Sequence, residues 1–139
     1  MIVIFSKPNT LLRLEGLALL VLGVVLYAKL DYHWVLFWSL LLLPDIALFA
    51  YLLNKEVGAL AYNLTHAKLL PSLLAVIGLM LGHAGALAVA IIWFVHIGLD
   101  RFLGYGLKYT QGFKFTHLGT LGEKRDASEK YSLPSFCGK

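Results

Sequence analysis

The chain has 139 residues, of which 59% are apolar and only 14% are charged, and its mean hydropathy is +0.75. Soluble domains are typically about half apolar and about a quarter charged, so this composition excludes a soluble enzyme, a disordered chain and a disulfide-stapled secreted module. The net charge of +4 suggests nucleic acid at first sight, but membrane proteins carry basic residues for a different reason, and we expect no nucleic-acid partner. The lone Cys137 cannot form an internal disulfide.

Four segments are long and apolar enough to cross a bilayer, which takes about 20 mostly apolar residues in a helix. They cover about residues 11–30, 32–54, 57–81 and 84–103. The last two come from one long apolar stretch, which we expect to break at Gly82-His83-Ala84-Gly85, where glycines flank a polar ring. Whether the third span begins near Val57 or near Leu69 stays open.

The basic residues favour four spans over three. With four spans, every Lys and Arg except Lys29 falls on one side of the membrane, as the excess of basic residues in cytoplasmic loops requires. We therefore predict an all-α, four-helix transmembrane bundle in the cell inner (cytoplasmic) membrane, with both termini cytoplasmic. Residues 1–121 would form one membrane domain that ends in an interfacial segment, 104–121, and residues 122–139 would form a flexible, basic cytoplasmic tail.

The ionisable residues of the spans collect in one leaflet under this topology. Such residues are costly in a membrane and usually face the bundle interior or a wet cavity. His96 and Asp100 are four residues apart, so they lie on one helix face, and Tyr62 and His66 share that spacing. The candidate catalytic residues are Asp45, His96, Asp100 and Glu15, and the candidate charge partners are Arg13, Arg101 and Lys108.

A divalent metal is one use for this set of side chains. Zn²⁺ or another divalent cation would accept imidazole and carboxylate ligands from His66, His96, Asp100 and Asp45. A metal with an open coordination position would activate water. The same four residues could instead relay a proton without any metal.

Structural interpretations of the same residues stay open. Asp100 could pair with Arg13, Glu15 could pair with Arg101 or Lys68, and His66 could be an ordinary loop histidine. The glycines Gly16, Gly23 and Gly98 are typical of close helix packing. The stretch after the last span could lie at headgroup depth, or it could fold over the mouth of the bundle and add Lys108 or His117 to the polar groups. The further polar candidates are Tyr62, Asn63 and His117.

Several short motifs resemble those of a small bacterial integral-membrane family, domain-of-unknown-function family 4260. The motifs are Leu12-Arg13-Leu14-Glu15-Gly16, Pro44-Asp45, Tyr62-Asn63-Leu64-Thr65-His66, His96-Ile97-Gly98-Leu99-Asp100-Arg101, Gly104-Tyr105-Gly106-Leu107-Lys108-Tyr109 and Gly112-Phe113-Lys114-Phe115-Thr116-His117-Leu118-Gly119. The resemblance covers about residues 10–120. It implies a short four-span membrane protein and supplies no activity.

The sequence supports two functions of different classes. The first is metal-assisted hydrolysis of a lipid or other amphiphile at a cytoplasm-facing site within the membrane. The second is a non-catalytic membrane module, either a small proton-linked carrier or a partner subunit, whose polar residues pair structurally. The bilayer is the one partner that both require, and the oligomeric state stays open.

Overall fold

The computed structural model describes residues 8–108 and the backbone of two short strands beyond them. The elements in chain order are α1 (Pro8–Lys29), α2 (Trp34–Leu40), a 3₁₀ helix (Leu43–Leu52), α3 (Lys55–His66), α4 (Leu69–Met80), α5 (Ala84–Leu103), β1 (Phe115–Thr116) and β2 (Gly119–Thr120). The interfacial segment that the sequence predicted therefore contains a small antiparallel hairpin of β1 and β2. The tail 122–139 lies outside the described residues.

Four helical stretches are long and apolar enough to cross a membrane, namely residues 8–29, 34–52, 55–80 and 84–103. This confirms the predicted four-helix transmembrane architecture. Large apolar side chains face outward from the bundle, among them Phe49 at 70% and Leu52 at 81% exposed. Such an apolar surface is suited to lipid and not to water.

Two of the four spans are interrupted. The second changes from α-helix to 3₁₀ helix around Leu41 and Leu42. The third is divided at Ala67, whose backbone is extended, so it contains both segments between which the sequence could not choose. Pro71 lies in the first turn of α4, where its missing N–H removes no helical hydrogen bond.

Glycines bring α1 and α5 into close contact, which agrees with the helix-packing interpretation of these glycines. A Cβ added to Gly16 would lie 2.7 Å from the backbone nitrogen of Phe102, and one added to Gly98 would lie 2.8 Å from the carbonyl oxygen of Gly16. A Cβ on Gly23 would lie 2.5 Å from Val95 Cγ2. Any side chain at these positions would push the two helices apart.

The two ends of the bundle differ in chemistry. Near the α1–α2 connection, an aromatic cluster surrounds the buried ring of Tyr27, whose centroid lies 5.1–5.5 Å from those of Tyr32, Trp34 and Phe37. The predicted break between α4 and α5 is confirmed near the same end, where Gly82 has a φ of 63°. The polar residues of the spans lie toward the opposite end, which leaves the aromatic end without the predicted site residues.

Candidate metal centre

Two histidines and two aspartates meet inside the bundle, and we call them the His/Asp cluster: Asp45, His66, His96 and Asp100. Both helix interruptions supply a member. Asp45 lies in the first turn of the 3₁₀ helix, and His66 is the last residue of α3. The continuous helix α5 supplies the i, i+4 pair, with His96 about 18 Å along its axis from Ala84.

The donor atoms of the cluster converge on one point. Nε2 of His66 and Nε2 of His96 are 3.0 Å apart. The imidazole nitrogens lie 3.3–3.9 Å from the nearer carboxylate oxygens of the two aspartates, and all four donor atoms lie within 4.8 Å of one another. Tetrahedral zinc, with ligands at about 2.0–2.1 Å, places neighbouring donor atoms about 3.3 Å apart. The spacings of this cluster bracket that value.

The ring of His66 is oriented through its other nitrogen. Nδ1 donates to the carbonyl oxygen of Tyr62 at 2.9 Å and also lies 2.9 Å from Thr65 Oγ1. The proton on Nδ1 leaves Nε2 of the neutral ring with a lone pair that points into the cluster. Histidines that bind metals usually donate their second ring nitrogen to such an acceptor. The ring of Tyr62 also stacks on that of His66, with centroids 3.8 Å apart.

The ring of His96 is held by packing and by the cluster itself. Its side chain is 1% exposed, and its Nδ1 makes no hydrogen bond within residues 8–108. Because Nε2 of His66 presents a lone pair, Nε2 of His96 must either donate a proton to it or share a cation with it. A buried pair of imidazole nitrogens at 3.0 Å therefore requires a proton or a metal ion between them.

The two aspartates differ in their surroundings. Asp100 accepts a hydrogen bond from the hydroxyl of Tyr62 at 3.0 Å, and its side chain is only 16% exposed. The side chain of Asp45 is 37% exposed, which makes it the most accessible member of the cluster. Asp100 is therefore the fixed carboxylate, and Asp45 is the more exposed one.

The chain after α5 folds back onto the residues around the cluster. The side-chain amide of Asn63 donates to the carbonyl oxygen of Lys108 at 2.8 Å and accepts from its backbone N–H at 2.7 Å. Nζ of Lys108 lies 5.0 Å from the ring centroid of Tyr62. Burial lowers the pKa of Lys108, and the negative charge of Asp100 partly opposes this effect. Asn63 thus fixes the return of the chain, and Lys108 brings a positive charge near Tyr62.

The other predicted site residues lie outside the cluster. Arg13 does not pair with Asp100 but donates from Nε to the carbonyl oxygen of Phe102 at 2.8 Å, where it caps the last turn of α5. Glu15 is exposed on α1, and Arg101 lies within electrostatic range of both Glu15 and Asp100. The predicted candidate His117 lies outside the described residues.

The sequence analysis missed two residues that support the site. Trp93 donates from its indole nitrogen to the carbonyl oxygen of Thr65 at 2.6 Å, which ties α5 to the end of α3. Thr65 itself donates to one of the carbonyl oxygens of Ala61 and Tyr62, which lie 3.1 and 3.0 Å away. Trp93 is three residues before His96, so helical spacing was the available signal. The structural expectation for His66 was also wrong, because it is a buried helix terminus and not a loop residue.

Comparison with protein families assigns residues 9–121 to a domain of unknown function, DUF4260. The chain belongs to this family. The match spans the four helices, the whole His/Asp cluster and the returning segment, in agreement with the motifs identified in the sequence. No curated protein and no solved structure matches the chain.

Proposed function

We propose that the His/Asp cluster binds a divalent metal ion, with zinc the best fit, and uses it to hydrolyse a lipid-like ester or amide from the cytoplasmic side of the inner membrane. The observation that carries the proposal is the convergence of two imidazole nitrogens and two carboxylates within 4.8 Å. Both aspartates lie within 3.5 Å of a histidine nitrogen, as carboxylate and imidazole ligands of one metal ion would.

The roles follow from the different surroundings of the four residues. His66, His96 and Asp100 would hold the metal, which matches the set of two histidines and one carboxylate found in catalytic zinc sites. The metal would supply Lewis acidity and an acidified water molecule. Asp45, the most accessible member, would accept a proton from the water molecule as the water oxygen adds to the substrate carbonyl carbon. The proton would then pass to the leaving alcohol or amine as the bond between that group and the carbonyl carbon breaks, so one water is consumed for each ester or amide bond.

Metal analysis tests the binding part of this proposal. The protein is purified in detergent through a tag that contains no histidine, dialysed against one equivalent of Zn²⁺, and analysed for metal by mass spectrometry. We expect about one zinc per chain in the wild type and in His83→Ala, since His83 is an exposed helix cap at the other end of the bundle. We expect almost none in His66→Ala or His96→Ala. Equal zinc in His96→Ala and wild type would contradict the proposal.

Hydrolysis is tested with p-nitrophenyl octanoate in mixed micelles. We expect the zinc-loaded protein to release nitrophenol and Asp45→Asn to keep its zinc while losing about 100-fold or more in rate, the usual contribution of a general base. Zinc binding without turnover above that of Asp45→Asn would refute the hydrolytic role and leave the metal site intact.

A carrier is the second candidate, and the interrupted helices favour it. Transporters often bind their coupling ions at discontinuous helices near the middle of the membrane. Here two of the four spans are interrupted, and each interruption lies within three residues of a cluster member. Proteoliposomes that contain a pH-sensitive dye distinguish the two functions, because a proton-linked carrier moves protons across the membrane in a way that depends on His96 and a hydrolase does not.

A further inference from the structure

An apolar groove of about 210 Å³ lies between the second span and α5 and is lined by residues next to the His/Asp cluster in sequence. Leu40, Leu43 and Pro44 of the second span form one wall, and Val89, Ile92 and Trp93 of α5 form the other. Three members of its lining are close in sequence to the cluster. Pro44 precedes Asp45, Thr65 precedes His66, and Ile92 lies one helical turn before His96. The groove therefore lies beside the segments that carry Asp45, His66 and His96.

Apolar and polar residues follow a fixed order along α5 and the chain after it. The groove residues of α5 come first, then His96 and Asp100, and then Arg101 and, after the end of the helix, Lys108. Apolar surface thus lies on one side of the cluster and positive charge lies on the other. A molecule that fits this order has a hydrocarbon chain, a bond that can be hydrolysed at its polar end, and a negatively charged head.

We propose that the groove holds the hydrocarbon chain of an anionic, single-chain amphiphile whose head lies toward Arg101. This inference rests on the proposed function for the position of the reacting bond, but the binding itself does not require a metal. Lipid tails are as apolar as the groove, so moving a chain from the membrane into it gains little from the hydrophobic effect. The charged head must supply the affinity, and the groove aligns the chain with the cluster.

Trp93 reports on the groove directly, because its ring lines the wall and is fixed by the hydrogen bond to Thr65. The only other tryptophans of the chain are Trp34 and Trp38. Both are exposed in the aromatic cluster at the other end of the bundle. Replacing them with phenylalanine leaves Trp93 as the only fluorescent tryptophan. Bromine atoms on a hydrocarbon chain quench that fluorescence on contact.

The test titrates the Trp93-only protein in detergent with 9,10-dibromostearate. We expect saturable quenching, at least fivefold less quenching in Val89→Phe, which fills the groove, and about tenfold weaker binding in Arg101→Gln. Leu79→Phe is the matched control, since Leu79 lines a separate cavity near His83, and it should quench like the parent protein.

The result that overturns the inference is quenching that rises linearly, without saturation, and equally in the parent protein and Val89→Phe. That pattern is expected when chains contact the bundle only as detergent does. Zinc content is measured on the same samples and should be unchanged in Val89→Phe. If the parent protein binds no zinc but its quenching is saturable, only the proposed function is refuted. If it binds zinc but its quenching does not saturate, only this inference is refuted.

Discussion

Removing the hydroxyl group of Tyr62 gives a sharp test of the metal centre. In Tyr62→Phe the aromatic ring stays, and with it the stacking on His66 at 3.8 Å. The variant loses only the hydrogen bond to Asp100 Oδ2 at 3.0 Å. Hydrogen-bond partners of metal ligands typically account for 10- to 100-fold in metal affinity, which corresponds to about 1.4–2.8 kcal/mol. We therefore expect the zinc Kd of Tyr62→Phe to be about 10- to 100-fold higher than that of the wild type.

The assay is competition for Zn²⁺ with a fluorescent chelator of known affinity, carried out in detergent on wild type, Tyr62→Phe and Asp100→Ala. Tyr32→Phe is the control, because Tyr32 belongs to the aromatic cluster at the opposite end of the bundle and its loss should leave the Kd unchanged. Asp100→Ala should weaken binding more than Tyr62→Phe does. A Tyr62→Phe Kd within twofold of wild type, in protein with an unchanged circular dichroism spectrum, would refute the role assigned to the Tyr62–Asp100 pair.

Four further predictions concern the bundle and the segment that returns to it. Gly98→Ala should lower the free energy of unfolding by about 1–3 kcal/mol in chemical denaturation, because its Cβ would lie 2.7 Å from the backbone nitrogen of Leu20. Asn63→Ala should increase amide hydrogen exchange at Lys108 at least tenfold, since the backbone N–H and carbonyl of Lys108 both lose their hydrogen bonds to the Asn63 side chain. Burial lowers the pKa of Lys108, so the unfolded chain keeps the ammonium proton of Lys108 to higher pH than the folded protein does. The free energy of unfolding of the wild type should therefore rise with pH, relative to that of Lys108→Met, between the lowered pKa and about 10.4. Parallel plots of unfolding free energy against pH for the two proteins would contradict this. Zinc at 100 times its Kd should raise the free energy of unfolding by about 2.7 kcal/mol, and excess chelator should abolish that gain.

The sequence predicts the four spans because each prediction rests on the hydropathy of about 20 consecutive residues. Each span needs only an apolar stretch of sufficient length, and no single residue decides the outcome. Close helix packing at Gly16 and Gly98 was predictable from two small residues on apolar helices, but the pairing of α1 with α5 was not. The break at Gly82 was predictable because the polar residue His83 follows this glycine. These features depend on local composition, which a single sequence contains in full.

The partners of the charged residues were harder to predict, because they depend on how far each helix is rotated and shifted against the next. Pairing by charge suggested Arg13 with Asp100, but Arg13 instead contacts the carbonyl oxygens at the end of α5. Those carbonyls have no partner within the helix, so they accept hydrogen bonds from the guanidinium group of Arg13. Glu15 was grouped with the site by depth alone, and its exposed position on α1 shows that depth is not enough.

The helix interruptions explain why the sequence left open whether His66 is a loop residue, and how the four residues of the cluster come together. A histidine between two apolar stretches resembles a loop residue, and nothing local distinguishes it from a residue at a break inside the membrane. In the structure the chain stops being helical directly after His66, so the carbonyl ends of α3 lie beside its ring. The C-terminus of a helix carries partial negative charge and favours a cation there. The interrupted third span thus places His66 and a field that favours cations at the same point, where the continuous helix α5 presents His96 and Asp100.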